Sequence, residues 1–459
     1  MRRVLIVTYP YFPSYHVGVR RVAQLCRYLP SYGWEPVILT KSWNEPLAPE
    51  DAFFGDARSA QIEEEIGYVP TTVISRYARR DNKLLRMHRQ LVAAAGSGSL
   101  PRRATRAVLR KLLSASLPIF GEWPDRFAGW AEHATHDGAR AVRDRGVDAI
   151  LSISPPHTDH VVGAGIARET GRPWITAFDD LAGFYIGPGD PYGRRLLRAI
   201  ARRRNKRSLR RVAFVTANTP HMLAYLAREY GVQGEVMVPG FSPQPRTTPP
   251  KSTTMRISLT GSIYLTEQYP TLFLDALDLL LERDSRASSE LSVTLLGTRV
   301  ERELSAMLAG RKCEPVVKVV QRLPIDDALE LQRSSHLLLV LNSCGAQTTI
   351  GTMSFPSKMY EYLEARRPIL AMPADPGGWG DEVLAMTRAG QSASTPEEGA
   401  AVLARALEEW RRDGRLDYQG IDAEIERFSA PRQTGVLATL LDRATDDRIT
   451  APRSHGRTR

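Results

Sequence analysis

Cysteine is scarce: Cys26, Cys313 and Cys344 are the only three in 459 residues. They are odd in number, far apart and in no CxxC or Cys/His cluster. That excludes a disulfide framework and a structural zinc site, and predicts a reducing, cytoplasmic setting. The nine histidines are scattered, with no HExxH pair. No apolar run approaches the roughly 20 residues of a spanning helix. The longest, Leu337–Leu341, has the length of a strand. Met1–Thr8 starts basic, but its apolar stretch is too short for a signal-peptide core, so it reads as a buried first strand. No GxGxxG follows that strand, which argues against a dehydrogenase. The run Ser154-Pro-Pro-His157 lacks a nucleophile elbow, which argues against a serine hydrolase.

What remains is an ordinary globular composition, 42% hydrophobic and 25% charged, long enough for two to three domains with their own cores. Near-continuous apolar strands alternate with helical periodicity. Arg3–Thr8 leads to Val22, Leu25, Cys26 and Leu29 at helical spacing, then Gly33 and a strand at Pro36–Thr40. Strands at Asp148–Ser154, Pro173–Phe178 and Val212–Ala217 continue the theme, the last followed by a helix from Pro220. Such alternation predicts parallel, doubly wound α/β sheets. Prolines 239, 243, 245, 249 and 250 mark a stiff linker at 239–251. After it the alternation restarts, with strands at Arg256–Thr260, Ser292–Gly297, Val316–Val320, His336–Asn342 and Pro368–Met372. The expected organisation is an acceptor-type domain at 1–238 with a basic helical insertion at 76–126, and a second domain at 252–425. A helix at 426–450 returns to the first domain, and the tail 451–459 is disordered.

Charge is uneven within a net +11. Twelve Lys/Arg lie between Arg76 and Arg126 against three acids, and ten lie between Arg194 and Arg211 against none. Leucines and Val108 interleave the first cluster, as in an amphipathic helix on an anionic membrane surface. No motif for nucleic acid accompanies either cluster.

In open α/β sheets ligands sit beyond the carboxyl ends of the strands, and two such sheets facing each other make a cleft. One segment there combines three useful groups. Pro356 suits the first turn of a helix, Lys358 follows, and Glu361 lies one turn on along the same face. Helix N–H groups and a lysine attract a diphosphate; a carboxylate accepts hydrogen bonds from a vicinal diol such as ribose. An i,i+3 surface ion pair is the alternative reading of the spacing. The loops after the other strands offer His157, Asp179 and Asp180 as polar groups for chemistry or for helix caps. They also offer Tyr11, His16 and Gly18 as acceptor contacts.

With these residues in place, the chain resembles the GT-B glycosyltransferases, in particular the family-four-like sugar-nucleotide transferases. The resemblance runs through Val4–Thr8, Phe12-Pro13 and Gly18-Val-Arg20-Arg21. It continues through Trp123-Pro124-Asp125, Ser154–His157, Trp174–Asp180 and Thr260-Gly261-Ser262. It is most specific at Phe355-Pro-Ser-Lys-Met-Tyr-Glu-Tyr-Leu363 with Arg367-Pro-Ile-Leu370. It implies two Rossmann-like domains, with a nucleoside diphosphate sugar held by the second and the acceptor by the first. Gly261, Ser262, Pro356 and Lys358 would serve the phosphates and Glu361 the ribose, with Arg20 or Arg21 assisting. His157, Asp179 and Asp180 would serve the chemistry. It also implies retention of configuration and no cofactor or metal beyond the donor itself, consistent with the absence of a DxD motif in a plausible loop. The acceptor would be lipid-linked, a cell-envelope glycan or a secondary metabolite. The chain departs from the family pattern at Phe178-Asp179-Asp180, where a basic residue is usual before the last acid, and after Gly261, where the usual Arg/Lys is missing. A non-catalytic protein of the same fold acting as a binding partner, and a sugar-nucleotide epimerase, are the other readings these departures leave open.

Overall fold

The computed structural model describes residues 1–12, 17–42, 66–76, 123–186, 195–249, 252–261, 270–296, 300–321, 323–342 and 356–450, with short pieces inside 87–111 and Ile263, Leu265 and Gln268. His16, Ser262, the tail 451–459 and most of the basic segment 76–126 lie outside the described residues.

The chain forms two compact units, residues 1–238 with the chain from Gln433 onward, and residues 239–432. In the first, seven parallel strands are ordered β3-β2-β1-β4-β5-β6-β7. They are β1 (Arg2–Val7), β2 (Trp34–Lys41), β3 (Thr71–Ser75), β4 (Ala149–Ser154), β5 (Trp174–Phe178), β6 (Phe214–Ala217) and β7 (Gly234–Val236). The expected strands all form, each within two residues of its expected ends. The short edge strands β3 and β7 are additional; they carry little apolar signal because one side of each is unpaired. Order reverses between β1, which pairs with β2 in register Val4↔Pro36, and β4, paired in register Val4↔Ala149. Central strands such as β4, all six residues of which are buried, need apolar side chains on both faces because helices cover both.

The helices are α1 (Val17–Tyr28), α2 (Ala131–Asp144), α3 (Thr158–Thr170), α4 (Arg195–Ser208) and α5 (Pro220–Tyr230). Thr219 caps α5 by accepting from Met222 N–H at 3.0 Å, with Pro220 in the first turn. Helix α3 lies so close to the sheet that a Cβ at Gly163 would stand 2.4 Å from Trp174 Nε1 and 3.1 Å from Ser152, so only glycine fits.

The second unit repeats the plan with six parallel strands in the order β10-β9-β8-β11-β12-β13. These are β8 (Met255–Leu259), β9 (Leu291–Leu296), β10 (Val317–Val320), β11 (Leu337–Leu341), β12 (Ile369–Met372) and β13 (Gly390–Ser392). Its main helices are α6 (Thr271–Arg283), α7 (Ile325–Ser334), α8 (Lys358–Ala365) and α9 (Pro396–Asp413). Phe273, Leu277, Leu403 and Leu407 from α6 and α9 share one core with Ile257, Leu259 and Leu339 from the strands. The proline-rich stretch is held on this unit: Arg367 Nη2 donates to the Thr247 carbonyl at 2.8 Å. The last helix, α10 (Ala430–Thr450), runs into the first unit. There Leu437, Leu440 and Leu441 join the core around Val4 and Trp34, and Asp442 accepts from Trp34 Nε1 and Arg2 Nη1, both at 3.1 Å. The helix expected at 426–450 begins at Ala430, because a separate short helix, Asp422–Glu426, ends before it and the chain breaks at Arg427–Ser429. There the Ser429 strand bridge to Phe241 takes over the backbone.

Candidate functional site

In the second unit the sheet reverses between β8 and β11, and the sequence-derived residues meet beside that point. Gly261 follows β8 with φ +86°, a left-handed backbone that favours glycine. A Cβ there would come within 3.2 Å of Lys358 Cε and 3.5 Å of Nζ. Lys358 opens α8, after Pro356, whose carbonyl accepts from Met359 N–H at 3.0 Å. Burial lowers the Lys358 ammonium to about 8, with Glu361 opposing the shift. Such an amine is an incompletely solvated cation at a helix start, which a bound anion would stabilise.

Glu361 is not left as a simple surface partner of Lys358. Gln332 on α7 donates through Nε2 to Glu361 Oε2 at 3.1 Å and to Thr260 Oγ1 at 2.8 Å. Tyr362 Oη in turn accepts from Thr260 N–H at 2.8 Å, and burial pushes its phenol up to about 12. Thr260, immediately before Gly261, is therefore held from two helices. Gln332 was missed by sequence reasoning; it stands 29 residues from Glu361, and nothing local marks it.

In the first unit the residues after β4 and β5 come together in pairs. His157 is 3% exposed and its Nε2 lies 2.9 Å from Asp180 Oδ1. Its ring packs on Phe184 at 4.9 Å between centroids and on Phe178 at 5.8 Å. Asp180 keeps 42% of its side chain exposed, so the pair has one buried and one open end. Asp179 instead pairs with Arg21. Arg21 also donates to Asn218 Oδ1 at 3.1 Å and to the Met237 carbonyl at 3.2 Å. Arg21, expected to assist the phosphates, is turned inward by α1 beside Val22 and Leu25 and is 4% exposed. Arg20 and Gly18, on the outer side of the same helix, remain partly exposed. Tyr11, expected as an acceptor contact, is buried. It is 1% exposed in the core, edge-on to Phe12 at 5.1 Å and against the Cys26 thiol.

Beneath His157 lies a buried polar layer that sequence reasoning did not identify. Asp125 accepts from Phe127 N–H (2.9 Å), Thr158 N–H (2.9 Å) and Thr158 Oγ1 (2.6 Å), capping α3. Asp159 accepts from Tyr9 N–H at 2.9 Å, tying α3 to the end of β1. Ser152 Oγ accepts from Trp174 Nε1 at 2.9 Å and shares a hydrogen bond with His160 Nδ1 at 2.8 Å. Burial raises Asp125, raises Asp159 further, and lowers His160 well below the ordinary imidazole range. A carboxyl whose folded pKa is raised loses native stability as pH climbs from the unfolded value, about 4, through the folded one. Asn at 159 keeps the acceptor for Tyr9 and cannot ionise. Asp159→Asn is therefore expected to be more stable than wild type at neutral pH and no more stable in acid, read as urea midpoints across pH. An equal gap at every pH would contradict this.

Two parallel doubly wound units, one carrying an amine, a glycine turn and a carboxylate at its switch point, define the GT-B class. Residues 18–239 match the family model of the glycosyl transferase 4-like domain. HepE of Anabaena, solved with UDP, superposes with a TM-score of 0.59 at 12% identity, over 96% of this chain and all of its own. The same protein with UDP-glucose gives 0.53 at 11%, over 98% of this chain and all of its own. Sucrose-phosphate synthase of Thermosynechococcus elongatus gives 0.50 at 14%, over 98% and 97%. No curated protein sequence matches the chain. The chain has the GT-B fold, and its residues 18–239 match the glycosyl transferase 4-like domain.

Proposed function

We propose that the chain moves a glycosyl group from a nucleoside diphosphate sugar, UDP-linked in the first instance, to a hydroxyl of a lipid-linked acceptor, a cell-envelope glycan or a secondary metabolite. The carrying observation is the Gly261–Lys358–Glu361 arrangement. Backbone at a left-handed glycine and a poorly solvated ammonium face the place where phosphate charge would rest, and a carboxylate oriented by Gln332 waits one turn along for a ribose diol. UDP and UDP-glucose in the HepE structures support a uridine donor.

In this reading the C1–O bond to the diphosphate breaks with its electron pair on the phosphate, where Lys358 and the N–H groups at the start of α8 stabilise the charge. The acceptor oxygen bonds to C1 on the face the diphosphate leaves and its proton passes to the departing phosphate oxygen, so configuration is retained, with Lys358 and the helix N–H groups taking the charge-stabilising role a metal could fill. His157, next to Asp180, contacts the reacting sugar or acceptor. The setting is the cytoplasm; the two described cysteines are free and buried, and among the described residues no helix is long and apolar enough to cross a membrane.

UDP at about a hundredfold its Kd is expected to add about 2.7 kcal/mol to unfolding stability, and Glu361→Ala to abolish most of that gain. Gln332→Leu is expected to raise the donor KM about tenfold with kcat nearly unchanged, since it removes one hydrogen bond to a charged group. No UDP response in the wild type, with no transfer or hydrolysis of any donor, would leave only a non-catalytic protein of this fold.

A further inference from the structure

We infer that the outward face of α4 is a docking surface for an anionic lipid bilayer. Residues 194–211 contain ten Lys/Arg and no acid. The fold sorts most of the described ones outward. Leu197, Ile200 and Ala201 on α4 and Leu209 in the turn after it face the protein, while Arg195, Arg203, Lys206 and Arg207 on α4, and Arg210 and Arg211 in that turn, are exposed. None of these six makes an ion pair among the described residues; the neighbouring Arg202 is taken by Glu229. A helix of 14 residues spans about 21 Å, so the face is a straight cationic ridge. Leu196, 72% exposed, stands at its amino end.

A cationic ridge with an apolar residue at one end matches a headgroup surface over an acyl boundary. A single-stranded nucleic acid would instead call for exposed aromatic rings for stacking, and among the described residues this face has none; a duplex, held by phosphates alone, would have no use for the exposed Leu196. The basic segment also abuts this helix. Trp123, at its end, donates through Nε1 to Asn205 on α4 at 3.3 Å and lies under the Arg204 guanidinium at 5.7 Å. Farther back, Val108 and Leu109 are 61% and 39% exposed beside Arg110 and Lys111. Docking through α4 would bring the acceptor-type unit to a bilayer, which adds to the lipid-linked acceptor proposed above without depending on donor chemistry.

The test is co-sedimentation of the full chain with vesicles of phosphatidylcholine alone and of phosphatidylcholine with phosphatidylglycerol. Binding is expected only with the anionic lipid and to weaken as salt rises. Arg203→Gln/Lys206→Gln/Arg207→Gln is expected to lower partitioning about a hundredfold, at about 1 kcal/mol per cation, with the UDP response unchanged. Leu196→Ser, which removes no charge, is expected to weaken binding at every salt concentration and serves should the triple variant not fold. Sedimentation indifferent to phosphatidylglycerol, wild-type binding by the folded triple variant, or binding to duplex DNA but not to anionic vesicles would each overturn the inference. A lost UDP response with intact vesicle binding would count against the donor site alone.

Discussion

Lys358→Met is expected to lower kcat/KM for the donor by about a hundredfold to a thousandfold. Removing one preorganised charge stabiliser of a departing oxyanion typically costs about 2.7–4 kcal/mol in the transition state, and no other cation stands beside Gly261 among the described residues. The wild-type pH profile provides a second arm. Burial holds the free amine near 8, so it is charged below that pH and loses its charge above it. The kcat/KM reports the free enzyme, and is expected to fall about tenfold per unit above pH 8. In Lys358→Met that alkaline limb is expected to vanish. A variant with wild-type kcat/KM, or a wild-type profile flat through pH 8, would remove Lys358 from the reaction.

Asp125→Leu is expected to cost about 3 kcal/mol of stability. Three donors lose their acceptor at once: Thr158 N–H and Oγ1, at the start of α3, and Phe127 N–H. An unsatisfied buried donor costs about 1–3 kcal/mol, and the sum is reduced because burial already makes this carboxyl unfavourable to ionise. For a unit of this size the melting midpoint is expected to drop by about 6–12 °C. Asp125→Asn, which retains an acceptor, is expected to fall between. His157 immediately precedes Thr158, so the leucine variant is also expected to lose activity below its melting midpoint. An unchanged urea midpoint for Asp125→Leu would show that α3 is capped by other means.

How far the site was legible depended on the distance over which its parts communicate. Lys358 and Glu361 could be read together because three residues on a helix return to the same face, and Gly261 because a glycine directly after a buried strand suggests a special turn. Tyr11 and Arg21 looked like site residues for equally local reasons, and the fold put both in the core. A loop tyrosine after a strand can turn out to ligand or back onto the next helix. The choice fell to the apolar surface of α1, which the Tyr11 ring helps to cover. Arg21 was claimed by Asp179, 158 positions away along the chain. Asp179 and Asp180 are adjacent and chemically identical, yet one is tied to Arg21 and the other to His157, because consecutive residues leaving a strand point to opposite sides.

By itself the sequence determined the parallel α/β class, the two successive strand-and-helix series and a helix starting close to Pro356. Those rest on local periodicity: apolar runs that must be buried on both faces, and the caps and prolines that bound them. Only the tertiary structure decided that Gln332 aims Glu361, that Asp125 and Asp159 stitch α3 to residues far away in the chain, and that most of the described cations of α4 face outward. Each is a polar contact or exposure set by long-range packing. Its energy depends on which partner excludes water from it, and no window of neighbouring residues contains that partner.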